Sequence, residues 1–414
     1  MDNFSPSDSL SKAENAEPLH VATVVRSFSE NGGLELYAHR VVEGLLERGH
    51  RVTVICEVSD SKLVHAGLKK LFFPPAPEGV RKANRISHHF SAASKFVAEN
   101  GPFDVVHSQH LPMSGADAVT FHNHTANRIV KVGQSWEKWL NNAKMVYSTA
   151  YRLRYSQDEI LCRASVLLFP AKVCRDDFAT TYNLDNRPSP PSYVVAHPGA
   201  NFPGQLMAAE ASTVSKAPQS EPFTFLFVGK GFRKKGLDIL LQACQMLKQN
   251  GTPCRLLIAG LKAKPFDKLR LKLMGLSGIV EYLGFRKDMH NVYAQARATV
   301  LPSRIEPFGM APVQGMMHGL VPIVSAVSGV SEVLTDGFDS LILHNHLSPD
   351  ELAGLMKRLI DRPDELAEMS SRARETAAKL TWELTVNETL NAYRIVVQKK
   401  LVEQKQKLKV TPSG

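Results

Sequence analysis

The chain has 414 residues, of which 43% are hydrophobic and 22% charged. That composition is that of a globular protein, no run approaches the roughly 18 apolar residues that cross a bilayer, and the length suits two domains of about 200 residues with a cleft between them. The formal charge of +10 points to an anionic partner, which charge alone leaves open among nucleic acid, an acidic membrane surface and phosphorylated ligands.

Residues 1–17 are polar and carry Asp2, Asp8, Glu14 and Glu17 without an apolar centre, so a disordered leader is expected there and not a signal peptide. From Leu19 the pattern reads as a strand, His20 to Val25, a turn at Asn31-Gly32-Gly33, and a helix with Leu34, Ala38, Val41, Val42, Leu45 and Leu46 on one face. Gly49 closes the helix, and Arg51 to Cys56 returns as a second strand, which makes a βαβ unit with a parallel sheet. Asp104 to His107, Ala118 to His122 and Ala164 to Phe169 read as further buried strands. This first domain is expected over 18–202, followed by a linker over 203–222 rich in Ala, Ser, Gln, Glu and Pro.

The pattern then starts again. Phe223 to Val228 is a strand, Gly229 to Gly236 a basic glycine loop, and Leu237 opens a helix; Arg255 to Ala259, Ile279 to Leu283, Ala298 to Leu301 and Pro322 to Ser325 continue the alternation. A second doubly wound α/β domain is expected over 223–381, and a helix with a lysine-rich end over 382–414, packing back on the first domain. The five cysteines (Cys56, Cys162, Cys174, Cys244, Cys254) show no metal-binding spacing, so a reducing cytoplasmic compartment and no bound metal are expected.

Residues 303–319 carry the strongest chemical signal. Pro312 suits the first turn of a helix and Gly309 permits close approach of a ligand, so the amides of Gly309, Met310 and Ala311 would point at an anion before the helix. Glu306, beside such a phosphate, is better suited to sugar hydroxyls than to the anion itself. The loop Gly229-Lys230-Gly231-Phe232-Arg233-Lys234-Lys235-Gly236 has Lys234 where a dinucleotide fingerprint needs glycine, and Leu237 and Asp238 where a Walker loop needs Lys and Ser/Thr. It is either a diphosphate loop working through side-chain cations or a solvated basic turn. Gly32-Gly33 is either a plain tight turn or part of a ligand crevice at a strand end. His122 and His124 share that edge, without an identifiable third zinc ligand.

Gly32-Gly33-Leu34-Glu35, Arg48-Gly49-His50-Arg51-Val52, Thr120-Phe121-His122, Ala196-His197-Pro198-Gly199, Val228-Gly229 with Lys235-Gly236, Glu306-Pro307-Phe308-Gly309 and Gly329-Val330-Ser331-Glu332 together resemble, in order, the family 4 retaining glycosyltransferases. The resemblance implies the GT-B architecture of two facing Rossmann-like domains, the first holding the acceptor and the second a nucleotide sugar. Within the family the chain looks most like lipopolysaccharide core glucosyltransferases, which implies UDP-glucose as donor. Residue by residue, it implies that Lys235, with Arg233 as the guanidinium, and Gly33, Gly309, Met310 and Ala311 hold the diphosphate. It implies further that Glu306 and His122 contact the transferred sugar as the catalytic pair. Gln314 stands where the family's second glutamate binds ribose, and Asn201 replaces a common acid.

The expected function is therefore transfer of a hexose, glucose by resemblance, from a UDP-sugar to a lipopolysaccharide-core or other lipid-linked glycan, without cofactor or metal and without nucleic acid. The expected location is the cytoplasm, peripherally on the membrane. Residues 126–163 hold seven Lys/Arg against three acids, interleaved with Trp136, Trp139, Tyr147, Tyr151 and Tyr155, and are either an interfacial segment on anionic lipid or a packed helical excursion. The rival readings are a non-hydrolysing nucleotide-sugar epimerase and a non-enzymatic anion- or membrane-binding scaffold.

Overall fold

The structure is a computed structural model that describes residues 17–200 and 222–410, apart from Pro253 and most positions between 132 and 146. The expected leader and linker, except Glu17 and Pro222, lie outside the described residues, as do Asn201 and part of the 126–163 segment.

The first lobe runs β1 (His20–Val24), β2 (Ser27–Phe28), α1 (Gly33–Glu47), β3 (Arg51–Cys56), β4 (Val58–Ser59), β5 (Leu68–Phe72), α2 (Lys82–Asn100), β6 (Val105–Ser108), β7 (Ala118–Thr120), α3 (Ala126–Lys131), α4 (Thr149–Leu161), β8 (Val166–Phe169), α5 (Lys172–Tyr182) and β9 (Ser192–Val195). The second runs β10 (Phe223–Val228), α6 (Leu237–Gln249), β11 (Cys254–Ala259), α7 (Pro265–Leu273), β12 (Val280–Gly284), α8 (Met289–Tyr293), β13 (Ala298–Leu301), α9 (Met310–Met317), β14 (Val321–Ser325), a 3-10 turn (Gly329–Val333), β15 (Leu341–Leu343), α10 (Pro349–Asp361) and α11 (Pro363–Lys379). A last helix, α12, spans Trp382–Val410.

Each lobe is a parallel sheet, ordered β5-β3-β1-β6-β7-β8-β9 in the first and β12-β11-β10-β13-β14-β15 in the second. The central strands are buried on both faces, which is why they read as unbroken apolar runs such as Val-Leu-Leu-Phe at 166–169. Strands β5 and β9 escaped the sequence reading because they are edge strands without such a run, with Lys69 exposed in β5, and β15 because it is apolar but only three residues long. Helix α2 escaped it because its sequence is polar, with only part of one face buried.

Helix α12 leaves the second lobe and packs on the first, where Trp382, Ala392, Tyr393 and Val396 join the core of Val21, Tyr37 and Val41. Its close approach to α1 depends on Gly44, since a Cβ there would press on Val386. Gly199 likewise has no room for a side chain against the Thr381-Trp382 backbone, so part of the Ala196–Gly199 motif serves this crossing. Two lysines near its end are held by the first lobe, Lys399 donating to the Ser165 carbonyl at 2.9 Å and Lys400 to the Asp104 carbonyl at 2.9 Å and to Asp117 at 2.7 Å, while Lys405 is exposed.

Candidate active site

In the second sheet β10 lies between β11 and β13, so successive connections leave its carboxyl end toward opposite sides and open a crevice there. The loop after β10 carries Gly229–Gly236, and the loop after β13 carries Pro302–Gly309. Arg304, only 4% exposed, ties the two together. Its amide donates to the Lys234 carbonyl at 3.0 Å, its Nη1 to the Arg233 carbonyl at 2.6 Å, and its fork to both oxygens of Asp238 at 2.7 and 2.8 Å. Gly236 (φ 74°) presses against the Pro302 carbonyl, so any larger residue would part the loops. The result is an ion pair between the Lys235 ammonium and the buried Glu306 carboxylate.

Gly309 (φ 105°) caps α9 and is followed by Met310, Ala311 and Pro312, so the first-turn amides face the crevice with no proline N–H wasted. This loop also meets the first lobe. Met310 packs against the cores of both lobes, the Cys174 thiol donates to the Pro307 carbonyl at 3.4 Å, and the His197 and Phe308 rings lie 5.6 Å apart. Beside it, the Glu332 carboxylate accepts from the amides of Lys172 and Val173, both at 2.7 Å, at the start of α5.

Between the lobes is a cavity of about 510 Å³. Asn31, Gly32 and Gly33 line it from the first lobe, facing Lys230, Met310, Ala311 and Gln314 from the second. Gly229 also lines it, and a side chain on Gly229 would touch Lys235 Cγ at 3.6 Å, which places the Lys235–Glu306 pair beside the cavity.

Arg233 lies apart from the cavity lining. Its guanidinium is 4.4 Å from the centroid of the Trp136 ring, beside a separate hollow with Phe232 and Arg270. Helical winding between Gly231 and Gly236 turns residue 233 outward, so the lining cation on this loop is Lys230.

His122 sits just past β7, half-buried, with Nε2 at 2.8 Å from Gln109 Oε1 and its ring edge-on to Tyr37 at 4.9 Å. Burial, aided by His110 and His107, holds its imidazole well below the usual value, so it is neutral at pH 7. His122 does not line the cavity. Gln314 does, with Oε1 3.2 Å from the Tyr293 hydroxyl, so the group it offers to a ligand is its NH2 donor. His318, stacked on Tyr293 and 3.0 Å from His290, completes this end, its imidazole lowered chiefly by burial.

Two family models match the chain, Glycosyltransferase Family 4 over residues 31–189 and Glycosyl transferases group 1 over residues 209–376, one on each lobe. The chain belongs to the group 1 glycosyltransferases. It is similar to the D-inositol 3-phosphate glycosyltransferases of Nocardiopsis dassonvillei, at 25% identity over 92% of this chain and 95% of that one, and of Mycolicibacterium smegmatis, at 27% over 87% and 86%. Among solved structures, its fold matches WaaG, a glycosyltransferase involved in lipopolysaccharide biosynthesis, with a TM-score of 0.71 at 17% identity over 91% of this chain and 99% of that one. It also matches Anabaena HepE in complex with UDP and glucose, with a TM-score of 0.59 at 16% identity over 90% and 98%. The two parallel-sheet lobes match the GT-B architecture of these glycosyltransferases.

Sequence reasoning about this glycosyltransferase missed Arg304, Tyr293, His318 and the Glu332 contact. Arg304 carried a legible signal, standing two residues before Glu306, while the others depend on which helix ends the fold brings together.

Proposed function

We propose that this glycosyltransferase moves a hexose, glucose by resemblance, from a UDP-sugar to a phosphate-bearing or lipid-linked sugar, with retention of anomeric configuration. The observation that carries this reading is the meeting of Lys235 and the α9 amides at one strand-order reversal, opposite the Gly32-Gly33 turn. Breaking the bond from sugar to diphosphate leaves growing negative charge on the phosphate oxygens, and preorganised amides and a lysine stabilise that charge as it forms. Glu306, buried and next to Lys235, accepts hydrogen bonds from hydroxyls of the transferred sugar and positions it, without acting as a covalent nucleophile. By resemblance, neutral His122 would reach the same sugar from the first lobe, although it does not line the interlobe cavity itself. Gln314 donates to a ribose hydroxyl where the family has an acid.

An anionic acceptor fits the +10 charge and the relatives whose names specify inositol 3-phosphate, and a lipid-linked one fits the lipopolysaccharide-biosynthesis enzyme that shares the fold. We place the protein at the cytoplasmic face of a membrane; among the described residues no helix is long and apolar enough to cross one. The test is ligand-induced thermal shift with UDP-, GDP- and ADP-sugars, followed by UDP release with inositol 3-phosphate and with a lipopolysaccharide core acceptor. Stabilisation by UDP-glucose and acceptor-dependent UDP release are expected. Epimerisation of a UDP-sugar without acceptor, or stabilisation by no nucleotide sugar, would overturn the reading.

A further inference from the structure

Helix α7 turns an apolar stripe away from the second lobe. Phe266, Leu269 and Leu273 are 65%, 51% and 78% exposed, and at about 100° per residue they fall within an arc of about 60°. The buried residue of the same helix, Leu271, points to the other side. Single exposed leucines are ordinary, but three large apolar side chains on one face of a nine-residue helix form a patch. Arg270 flanks it on one side and exposed Lys272, followed by Lys268 and Lys264, on the other, with exposed Lys262 just ahead of the helix. The helix's one acid, Asp267, is occupied in accepting from the Lys264 amide at 3.0 Å and pairing with Arg270.

The patch does not end at the helix. Arg270 lies over Phe266 at 4.8 Å and over Phe232 at 4.3 Å, and next to Phe232 the Arg233 guanidinium lies over Trp136 of the first lobe at 4.4 Å. A ladder of alternating rings and guanidinium groups thus joins α7 to the aromatic, basic segment around Trp136 and Trp139, which are 47% and 69% exposed. One face of the molecule, crossing both lobes, carries apolar rings and methyl groups among cations.

We propose that this face docks on an anionic lipid bilayer, with α7 lying in the interface and Phe266, Leu269 and Leu273 inserted between headgroups. Charge complementarity selects the occupant: cations flanking an apolar stripe suit acidic headgroups above acyl chains, and each adds to the attraction within a Debye length. The proposal rests on this surface and is independent of the donor site and of the acceptor's identity.

The experiment is co-sedimentation of the full chain with vesicles of phosphatidylcholine alone and of phosphatidylcholine with phosphatidylglycerol, at about 0.1 M salt. Binding to the anionic vesicles only is expected. Phe266→Ser with Leu273→Ser, and separately Lys264→Gln with Lys268→Gln and Lys272→Gln, should each lower the partition coefficient at least about 10-fold. Removing two lysine charges on other helices, with Lys95→Gln and Lys357→Gln, should lower it far less. Circular dichroism and thermal shift with UDP-glucose check that the variants fold and keep the donor site. Equal binding by wild type and the α7 variants overturns the proposal, as does absence of binding to anionic vesicles. So does a dimer, seen by analytical ultracentrifugation, that the α7 substitutions dissolve.

Discussion

Lys235 and Glu306, 71 residues apart in sequence, are joined as an ion pair beside the interlobe cavity. Each neutralises the other while no donor is bound. Arrival of a diphosphate gives the ammonium a second anion, and a sugar hydroxyl gives the carboxylate a second donor, so the pair is built to be shared with a ligand. Lys235→Ala is expected to lower acceptor-dependent UDP release by about 10²- to 10³-fold, the range for removing one preorganised charge stabiliser. Glu306→Gln, which keeps the side-chain shape but takes the carboxylate from the partly buried Lys235 ammonium, should lower kcat while the circular dichroism spectrum is retained. Turnover near wild type in both variants would remove these residues from the reaction.

Arg304 holds the two loops in register through four hydrogen bonds, three of them from its guanidinium. Lysine cannot reproduce that fork, so Arg304→Lys should destabilise the second lobe by about 1.5–3 kcal/mol and raise KM for the donor. Denaturant unfolding and donor titration measure the two effects. An unchanged midpoint would show that the loops hold without it.

Gln314→Glu replaces the NH2 donor with a carboxylate near Tyr293 and His318. A charge-assisted bond to ribose is worth roughly 1 kcal/mol more than a neutral one, so nucleotide affinity should tighten by about five-fold. Isothermal titration with UDP reads this directly, and weakened binding would mean that the donor character of Gln314 is the specific feature.

His107 is fully buried, 2.7 Å from the Tyr393 hydroxyl and 2.8 Å from the Thr120 hydroxyl, and burial pushes its imidazole down to about 3. The unfolded chain takes up a proton near pH 6.5 and the folded chain does not, so stability is lost as pH falls from 6.5 toward 3. The slope is about 1.4 kcal/mol per pH unit for this one group. Comparing unfolding at pH 7.5 and 5.5 for wild type and His107→Gln isolates it: the variant should lose about 1 kcal/mol less over that interval. Parallel losses in the two proteins would contradict the assignment.

Glu332 clasps the start of α5 from the other lobe, where the helix dipole and two amides favour a negative charge. Glu332→Gln should loosen the lobes, raising the radius of gyration in small-angle scattering and KM for the donor, with secondary structure unchanged. A radius identical to wild type would show that α12 and the Met310 contact suffice to close the molecule.

The βαβ alternation, the restart after residue 222 and the central strands were legible because strands buried on both faces must be apolar throughout and helices half-buried must be periodic. Gly309 and Gly236 were legible as turns for a related reason: their backbones occupy positive φ, and a side chain would meet neighbouring groups. Edge strands β5 and β9 were not, since half-exposed strands need no such pattern, and β15 was not because it is only three residues long. The destination of Arg233 was not legible either, because four cations in one loop look alike until winding directs Lys230 to the cavity and Arg233 to Trp136.

Sequence alone thus determined the local elements and the residue types fit for a phosphate, since both follow from short-range sterics and charge. Only the tertiary structure decided that Lys235 and Glu306 are partners. That proximity comes from β10 pairing with β13 across the reversal in strand order, a long-range choice made by burial of the whole sheet and then locked by Arg304 and Gly236 between the loops.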